Sequence, residues 1–457
     1  MRHTSLILAT TVLALALSPL PSRAQTNDTS RHNVVPAGVT RGDVTKGSVE
    51  MPGDFLSTNP AKPDSLAPVP AWDMDVRAYE TRERVAHYVT MFTGRARERI
   101  TDRLERGTRY EPMIRASLRA GGLPEDLYYL ALVESGFDPN AYSRAAAVGM
   151  WQFMTSTARG MGMRVDGWVD ERRDPVKSTT AAVRFIRGLR DQFGSLYLAA
   201  AAYNGGPGRV ARGIARYADD VNGVDVEDAF FVLADKDYLR AETRDYVPQL
   251  IAAALIAKEP ARYGMELHVR PPFQYDSVSV PASTPLAAVA RAAGVETAAI
   301  TELNPHLFRG MTPPKSTTLV RLPPGTASQF DSAFDALPRD ARVATRDVET
   351  KKGDTPRRVA DRHGIPVWAV RAFNPGMRVL RSGRLPTGQR LLVPTTAVVE
   401  AARDVPDPSI ERHAKSARHV RAHKAKAHKS STRRKKTPPA TKKARDGGRR
   451  TTGSPKG

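Results

Sequence analysis

The stretch LYYLALVESGF, residues 127–137, decides how the chain folds around it. It is apolar on every side except for one carboxylate, Glu134, and this pattern predicts a short buried helix. Pro124 suits the first helical position because its missing N–H needs no partner there, and Gly136 is typical of a helix end. At spacings of three and four residues, Glu134 continues an apolar face of this helix.

The position of Glu134 gives it a special chemistry. A carboxyl group on a buried face loses its hydration, which raises its pKa and keeps it protonated near neutral pH. A protonated carboxyl group can serve as a general acid toward a glycosidic oxygen. The alternative is a structural glutamate that pairs with an arginine in the core, and this helix alone leaves both interpretations open.

Composition limits the classes of protein that the chain can represent. Its 457 residues allow two or three domains, and a hydrophobic content of 40% supports at least one real core. There is no cysteine, which excludes disulfides, thiolate metal sites, cysteine nucleophiles and an acylated N-terminal cysteine. The net charge of +22 is uneven, because residues 412–457 hold 17 Lys and Arg against the single acid Asp446. That segment carries +16, which leaves +6 for the other 411 residues.

The two ends of the chain have the composition of processing and linker segments. Residues 1–24 are typical of a secretory signal peptide, with a charged start, an apolar run and a Ser22–Ala24 cleavage-like site. An uncleaved N-terminal anchor is the alternative. Residues 25–71 are predicted to form a disordered linker, and residues 400–457 a disordered polybasic tail. We therefore expect an exported protein of a Gram-negative periplasm, with association to the cell wall or membrane as an open alternative.

Residues 72–265 show helical periodicity without strand-like alternation, which predicts an all-α domain. One helix follows Asp174-Pro175, where the hydroxyls of Ser178–Thr180 offer themselves as caps. Another apolar helix, Leu196–Tyr203, is expected to break at the glycine-rich segment Asn204–Gly208.

From residue 268 the pattern changes and repeats. The segment Ser283–Pro305 recurs as Gly353–Pro375, and each copy is followed by a short run that ends in an apolar residue and a proline, Arg321-Leu322-Pro323 and Leu392-Val393-Pro394. A strand, two short helices and a returning strand satisfy this pattern. The sequence therefore predicts two small α+β (βααβ) modules, residues 268–326 and 343–396.

Four short motifs in the helical region carry the residue types of a sugar site. They are Glu134-Ser135, GMWQF at Gly149–Phe153, AYN at Ala202–Asn204, and ETRDYVP at Glu242–Pro248. Each motif alone is equally compatible with ordinary core packing. Together they combine aromatic and methionine faces, which pack against sugar rings, with amides and hydroxyls, which bind ring hydroxyls.

In their order and spacing the first three motifs resemble the soluble lytic transglycosylase (SLT) domain of glycoside hydrolase family 23, which has a goose-type lysozyme-like fold. Val148–Gln152 and the fourth motif resemble the membrane-bound D-type branch of that family. The two repeats resemble LysM peptidoglycan-binding modules. The resemblance covers residues 75–265 closely and residues 275–395 loosely.

The resemblance implies a lyase with a single catalytic acid/base, Glu134, and no metal or cofactor. Glu134 would cleave the MurNAc-β-1,4-GlcNAc bond of peptidoglycan and form a 1,6-anhydroMurNAc end during cell-wall remodelling. Its hydroxyl neighbour would orient an N-acetyl group, and one tyrosine hydroxyl would approach the glutamate. The implied substrate-binding residues are Ser135, Met150, Gln152, Phe153, Tyr203, Asn204 and Tyr246.

Two other functions stay open at this point. A hydrolytic muramidase on the same fold needs a second acid, and Asp138 or Asp170 would have to supply it. A non-catalytic peptidoglycan-binding protein would use the modules alone. In either case we expect peptidoglycan glycan strands as partners and a monomer.

Departures from the family pattern lead to further expectations. The absence of cysteine puts lipid anchoring in the outer membrane in doubt. The first repeat has Ser283-Thr284-Pro285 where the second has Gly353-Asp354-Thr355, so we expect the first module to be a structural spacer. The tail, residues 412–457, suits polyanions such as lipopolysaccharide or wall carboxylates. A specific nucleic-acid site is not expected, because aromatic residues are missing among the basic ones.

Overall fold

The computed structural model describes residues 73–402. The predicted signal peptide (1–24), the linker (25–71) and the basic tail beyond residue 402 lie outside the described residues. Across the span that is described, no helix is both long enough and apolar enough to cross a membrane.

The first domain is built from helices. Its elements in chain order are α1 (Glu83–Thr93), α2 (Arg97–Thr108), α3 (Glu111–Ala120), α4 (Tyr129–Ser135), α5 (Thr155–Gly160), α6 (Pro175–Phe193), α7 (Leu196–Gly205), α8 (Pro207–Arg216), α9 (Ala218–Val221), α10 (Asp228–Asp235) and α11 (Ala241–Lys258). The almost wholly buried α11 packs against α1, α4 and α7, and α6 packs against α3 and α7. The predicted all-α domain is confirmed.

The stretch around Glu134 folds nearly as predicted. Residues Tyr129–Leu132 of α4 are buried, and α4 ends at Gly136, whose φ of 65° places it in the left-handed region. A 3₁₀ turn, Glu125–Tyr128, precedes α4. The prediction that Pro124 is the first helical residue is wrong, because its ψ of 135° is extended and it lies just before the turn.

The start of α6 also differs from the prediction. Its cap is the carboxylate of Asp174, whose Oδ1 accepts hydrogen bonds from Val176 N–H at 2.9 Å and Lys177 N–H at 3.0 Å. Pro175 occupies the first helical turn, where a missing N–H has no cost. Ser178 and Thr179 instead lie buried inside the helix, so the expectation that they cap it is wrong.

Two α+β modules follow, as the repeat predicts. The first contains β1 (Asp276–Val280), α12 (Leu286–Ala293), α13 (Thr297–Leu303), β2 (Thr318–Leu322) and α14 (Phe330–Ala336). The second contains β3 (Thr345–Glu349), α15 (Pro356–His363), α16 (Val367–Ala372), β4 (Arg390–Pro394) and α17 (Thr396–Ala401). In each module the two strands pair antiparallel, β1 with β2 and β3 with β4.

One repeated asparagine holds each module together. Asn304 donates to Ile300 O and Arg321 O and accepts from Arg321 N–H, at 2.7–2.9 Å. Asn374 makes the same three bonds to Val370 O, Leu392 O and Leu392 N–H, each at 2.8 Å. In both modules this side chain ties the second helix to the returning strand, which explains why the asparagine recurs in the repeat.

Candidate active site

The end of α4, the loop 149–153, the end of α7 and the start of α11 meet around Glu134. The Tyr246 hydroxyl of α11 donates a hydrogen bond of 2.6 Å to Glu134 Oε1. Glu134 itself keeps partial exposure, whereas Tyr246 is buried. The carboxyl group therefore stands at the edge of the core, held by a tyrosine from another helix.

The environment of Glu134 keeps its carboxyl group protonated. Burial raises its pKa, the Tyr246 hydrogen bond lowers it in part, and the nearby charge of Glu242 raises it; together these effects move the pKa from 4.5 to about 8. Within residues 73–402, no salt bridge joins Glu134 to a lysine or arginine. A desolvated carboxyl group with a pKa near 8 keeps its proton at neutral pH.

The loop 149–153 is fixed to both neighbouring helices. Ser135 Oγ donates to Met150 O at 2.8 Å, and the Tyr203 hydroxyl donates to Trp151 O at 2.7 Å. The Trp151 indole, fully buried, donates to Thr179 Oγ1 of α6 at 2.9 Å. The hydroxyl of Ser135 thus holds the loop against α4, the helix that carries Glu134, and the hydroxyl of Tyr203 holds it against α7.

Two positions in this loop have left-handed backbone conformations. Gly149 has a φ of 85°, and a Cβ there would lie 1.8 Å from Arg172 O, so only glycine fits. Gln152 adopts a φ of 48° in spite of its side chain, whose Nε2 donates to Gly149 O at 2.8 Å. Such strain in a non-glycine residue is common at ligand sites.

A second polar group lies where α7 meets α11. Thr243 Oγ1 donates to Asn204 Oδ1 at 2.8 Å, and Asn204 Nδ2 lies 3.4 Å from Glu242 Oε1. Burial raises the pKa of Glu242, and the Asn204 hydrogen bond opposes this. The amide of Asn204 is thereby held in one orientation beside a second carboxyl group.

The four motifs therefore converge, but their residues lie at different depths. Glu134, Ser135, Gln152, Tyr203 and Asn204 are partly exposed. Tyr246 is buried against Glu134, and Met150 and Phe153 are buried in the core, with 0% and 3% of their surface exposed. The substrate contacts expected of these residues stay predictions.

Glu242 belongs to the fourth motif, but it is not among the site residues predicted from the sequence. The signal was available, because Glu242 lies four residues before Tyr246 on one helix and therefore shares its face.

The two acids considered for a hydrolase are engaged in other hydrogen bonds. Asp170 is buried and forms two bonds of 2.8 Å with the Arg172 guanidinium. Asp138 Oδ1 accepts from Asn140 N–H at 2.8 Å in the turn after α4. Among the residues that the structure describes, no group of three or more His, Asp and Glu side chains could hold a metal ion.

Three family models match this chain. The transglycosylase SLT domain matches residues 111–221, the LysM-like domain of lytic transglycosylase MltD matches residues 274–339, and the LysM domain matches residues 348–394. The first match contains three of the four motifs, and the other two contain the repeats.

Curated relatives agree with these matches. The chain is 30% identical to membrane-bound lytic murein transglycosylase D of Escherichia coli over 300 residues, 62% of this chain and 63% of that protein. It is 38% identical to peptidoglycan transglycosylase gp16 of Escherichia phage T7 over 104 residues, 22% of this chain and 8% of that protein. The chain thus spans less than two thirds of the length of these relatives.

Solved structures give local similarity only. The inactive mutant of lytic transglycosylase Slt from Pseudomonas aeruginosa is 22% identical, with 35% of this chain and 25% of that chain covered and a TM-score of 0.26. The 70 kDa soluble lytic transglycosylase from Escherichia coli is 20% identical, with 41% and 30% covered and a TM-score of 0.30. At these TM-scores neither structure supports a conclusion about the site.

The resemblance expected from the motifs and the repeats is therefore confirmed by the three family models and by the curated relative. This chain carries a transglycosylase SLT domain, followed by an MltD-type LysM-like domain and a LysM domain.

Proposed function

We propose that this chain is a peptidoglycan lytic transglycosylase that cleaves the MurNAc-β-1,4-GlcNAc bond and leaves a 1,6-anhydroMurNAc end. The observation that carries the proposal is the Glu134 carboxyl group, which is desolvated, hydrogen-bonded to Tyr246 at 2.6 Å and not joined to a cationic side chain within residues 73–402. The SLT family match and the murein transglycosylase relative support the same substrate.

Glu134 performs both proton transfers in this reaction. As an acid it protonates the glycosidic oxygen of the leaving sugar, while the substrate's own N-acetyl carbonyl stabilises the positive charge at C1. As a base it then takes the proton of the C6 hydroxyl, whose oxygen closes the anhydro ring on C1. The carboxyl group ends protonated as it began, and no water is consumed.

A pKa near 8 suits this double role. A group that must first donate and then accept a proton works best when its pKa lies near the working pH. The tyrosine hydrogen bond stabilises the carboxylate that exists between the two transfers, and burial stabilises the acid before and after them.

The other site residues bind the sugar strand. Gln152, Asn204 and Tyr203 supply amide and hydroxyl groups at the exposed side of the site, and Ser135 orients the N-acetyl group. Met150 and Phe153 form the apolar wall behind them. The second module adds peptidoglycan affinity, which the LysM family match to residues 348–394 supports.

The remaining parts of the proposal concern the whole chain. Residues 1–24 direct export to the periplasm, residues 72–265 form the catalytic domain, and residues 268–326 and 343–396 form the modules of a monomer. Residues 412–457 bind polyanionic wall or envelope components through their net charge of +16.

The test is mass spectrometry of the muropeptides that residues 25–457 release from purified sacculi, with Glu134→Gln as the matched control. We expect products lighter than the hydrolysis products by one water, from the wild type only. Reducing-end products would replace the proposal with a hydrolase, and sacculus binding without any release would leave only the binding function.

A further inference from the structure

We propose that the first LysM-like module is a fixed part of the active-site scaffold, and that Arg321 on its strand β2 is a positioning residue for the loop 149–153. The proposal goes beyond wall binding, because it gives this module a role in turnover. Its effect on turnover rests on the proposed function, whereas its effect on the loop does not.

The module reaches into the catalytic domain through one buried ion pair. Arg321 Nη2 lies 2.9 Å from both carboxylate oxygens of Asp174, the residue that caps α6. Asp174 is completely buried and only 11% of the Arg321 side chain is exposed. Burial would raise the pKa of Asp174, but His306 and Arg321 outweigh it and hold this pKa below 3.8.

More bonds join the same module to the segment 166–174, here called the junction loop. The Asp170 N–H donates to His306 O at 3.1 Å, and Arg309 Nε donates to Gly167 O at 3.1 Å. Trp168 packs against the cores of both modules. The junction loop is thus held from the module side at several points along its length.

The junction loop in turn holds the active-site loop. Asp170 binds the guanidinium of Arg172 through both oxygens, a geometry that fixes the plane of the group. Arg172 Nη1 then donates to Ala146 O and Phe153 O at 3.2 Å and to Thr155 Oγ1 at 3.0 Å. Its own carbonyl lies against Gly149, where no Cβ would fit.

The pathway ends at the catalytic helix. The loop that Arg172 holds accepts the Ser135 hydrogen bond at Met150 O and the Tyr203 hydrogen bond at Trp151 O. A shift of the junction loop would therefore move the groups that surround Glu134. A misplacement of about 1 Å can cost roughly a hundredfold in rate, even when its origin is distant from the chemistry.

The second module lacks this connection. Asn374 bonds to Leu392 in the way that Asn304 bonds to Arg321, so a leucine stands where the first module has its arginine. The two modules share their fold and their asparagine, and the charged contact with α6 belongs to the first alone.

The first readout is hydrogen exchange of full-length Arg321→Gln, followed in a peptide that spans residues 146–155. In this peptide the Val148 N–H donates to Phe153 O at 3.1 Å, and the Phe153 N–H donates to Val148 O at 3.2 Å. The exchange rates of these two amides therefore report on the loop. We expect exchange about tenfold faster in this peptide and unchanged exchange in α11. Arg321→Lys keeps the charge and should restore part of the protection.

The second readout is turnover of soluble glycan strands. Arg321→Gln should lower kcat about tenfold to a hundredfold and change KM little. The matched control is Arg342→Gln, which removes an arginine just beyond α14 that pairs at 3.3 Å with the exposed Asp335 of that helix. This control should leave both readouts at their wild-type values.

The outcomes separate this proposal from the proposed function. Wild-type exchange in residues 146–155 of Arg321→Gln overturns the proposal, and so does faster exchange with an unchanged kcat, or a loss confined to KM. If the wild type forms no anhydro product, the proposed function fails while the exchange experiment still decides the coupling. If Arg321→Gln does not fold, exchange in residues 146–155 and kcat are measured for Arg321→Lys instead. Arg342→Gln remains the control.

Discussion

The region around Glu134 and the junction around Asp174 each bury a carboxyl group in the same domain, with opposite results. Glu134 receives one tyrosine hydroxyl and faces the negative charge of Glu242, and its pKa rises to about 8. Asp174 receives two backbone N–H groups, Arg321 and a nearby His306, and its pKa falls. The difference lies in the partners that surround each group.

The comparison shows which buried acid can do chemistry. A carboxylate neutralised by an arginine and by helix N–H groups cannot readily take a proton, so its contribution is structural. A desolvated carboxyl group with no cationic neighbour to offset its burial stays protonated and is costly to ionise, which is the property of a general acid. Their variants should therefore lose different things: the proton donor itself at Glu134, and folding stability together with the positioning of the loop 149–153 at Asp174.

Replacement of the acid should have the largest effect. We expect Glu134→Gln to lower turnover by at least about a thousandfold, because a general acid contributes roughly 10² to 10⁴ and this residue would act in both steps of the proposed reaction. The measurement is the rate of muropeptide release at saturating substrate. A loss of less than tenfold would show that another group supplies the proton.

The same variant should become more stable relative to the wild type as the pH rises. With a folded pKa near 8 and an ordinary value of 4.5, the wild type holds one more proton folded than unfolded between these limits. Its stability therefore falls with pH by about 1.4 kcal/mol per unit. Urea unfolding of both proteins at pH 5, 6.5 and 8 tests this, and a difference that is constant with pH would contradict it.

Asp174→Asn should destabilise the chain without a comparable direct effect on the proton donor. We expect a loss of about 3–5 kcal/mol in the free energy of unfolding at pH 7, because Arg321 loses its buried partner. The pH dependence of this contribution to stability is opposite to that of Glu134. The lowered pKa of Asp174 stabilises the folded state at neutral pH, and this stabilisation is lost as the pH falls and Asp174 becomes protonated.

The control for this variant is Asp335→Asn, which removes an exposed ion pair of the first module. Its effect should stay within about 0.5 kcal/mol. Equal losses in the two variants would mean that the buried junction contributes no more than a surface pair.

Tyr246→Phe should have a moderate effect on rate and a specific effect on pH dependence. The hydroxyl lowers the pKa of Glu134, so its removal should shift the alkaline limb of kcat/KM to higher pH. We also expect kcat to fall about tenfold, because the carboxylate formed between the proton transfers loses its donor. Tyr197→Phe removes another buried hydroxyl, bonded to Asp75 O at 3.2 Å, and should leave the pH profile unchanged.

Glu242→Gln should have the smallest effect on the pH dependence of activity, and its direction should be opposite to that of Tyr246→Phe. The charge of Glu242 raises the pKa of Glu134, so the alkaline limb of kcat/KM should move to lower pH, by less than Tyr246→Phe moves it upward. The amide can still bond with Asn204. A shift to higher pH would show that Glu242 does not act through its charge.

Much of the fold could be predicted from local patterns. The helical period predicted the all-α domain, and the recurrence of Asn304 as Asn374 predicted two modules of one fold. The cap of α6 was assigned wrongly because Ser, Thr and Asp are all preferred at N-cap positions, so preference alone does not separate Asp174 from Ser178 and Thr179. Only the fold shows that both are buried within the helix.

The residues that meet around Glu134 could be predicted from the sequence. The hydrogen bonds and ion pairs that join them to the rest of the protein could not. The burial of Glu134 follows from its apolar helix, and Tyr246 came from the family resemblance. The bond between Arg321 and Asp174 joins residues 147 positions apart, and no local period relates them. Glu242 was visible on the face of Tyr246, yet its proximity to Glu134 depends on how α11 packs against α4.

The most direct test of the contrast between the two acids is the ionisation of Glu134 itself, followed by infrared difference spectroscopy of the wild type against Glu134→Gln from pH 5 to 9. We predict a protonated carboxyl band that is present at pH 7, disappears with a midpoint near 8 and is missing from the variant. A carboxylate already formed at pH 6 would contradict the account, because Glu134 would then have no proton to donate.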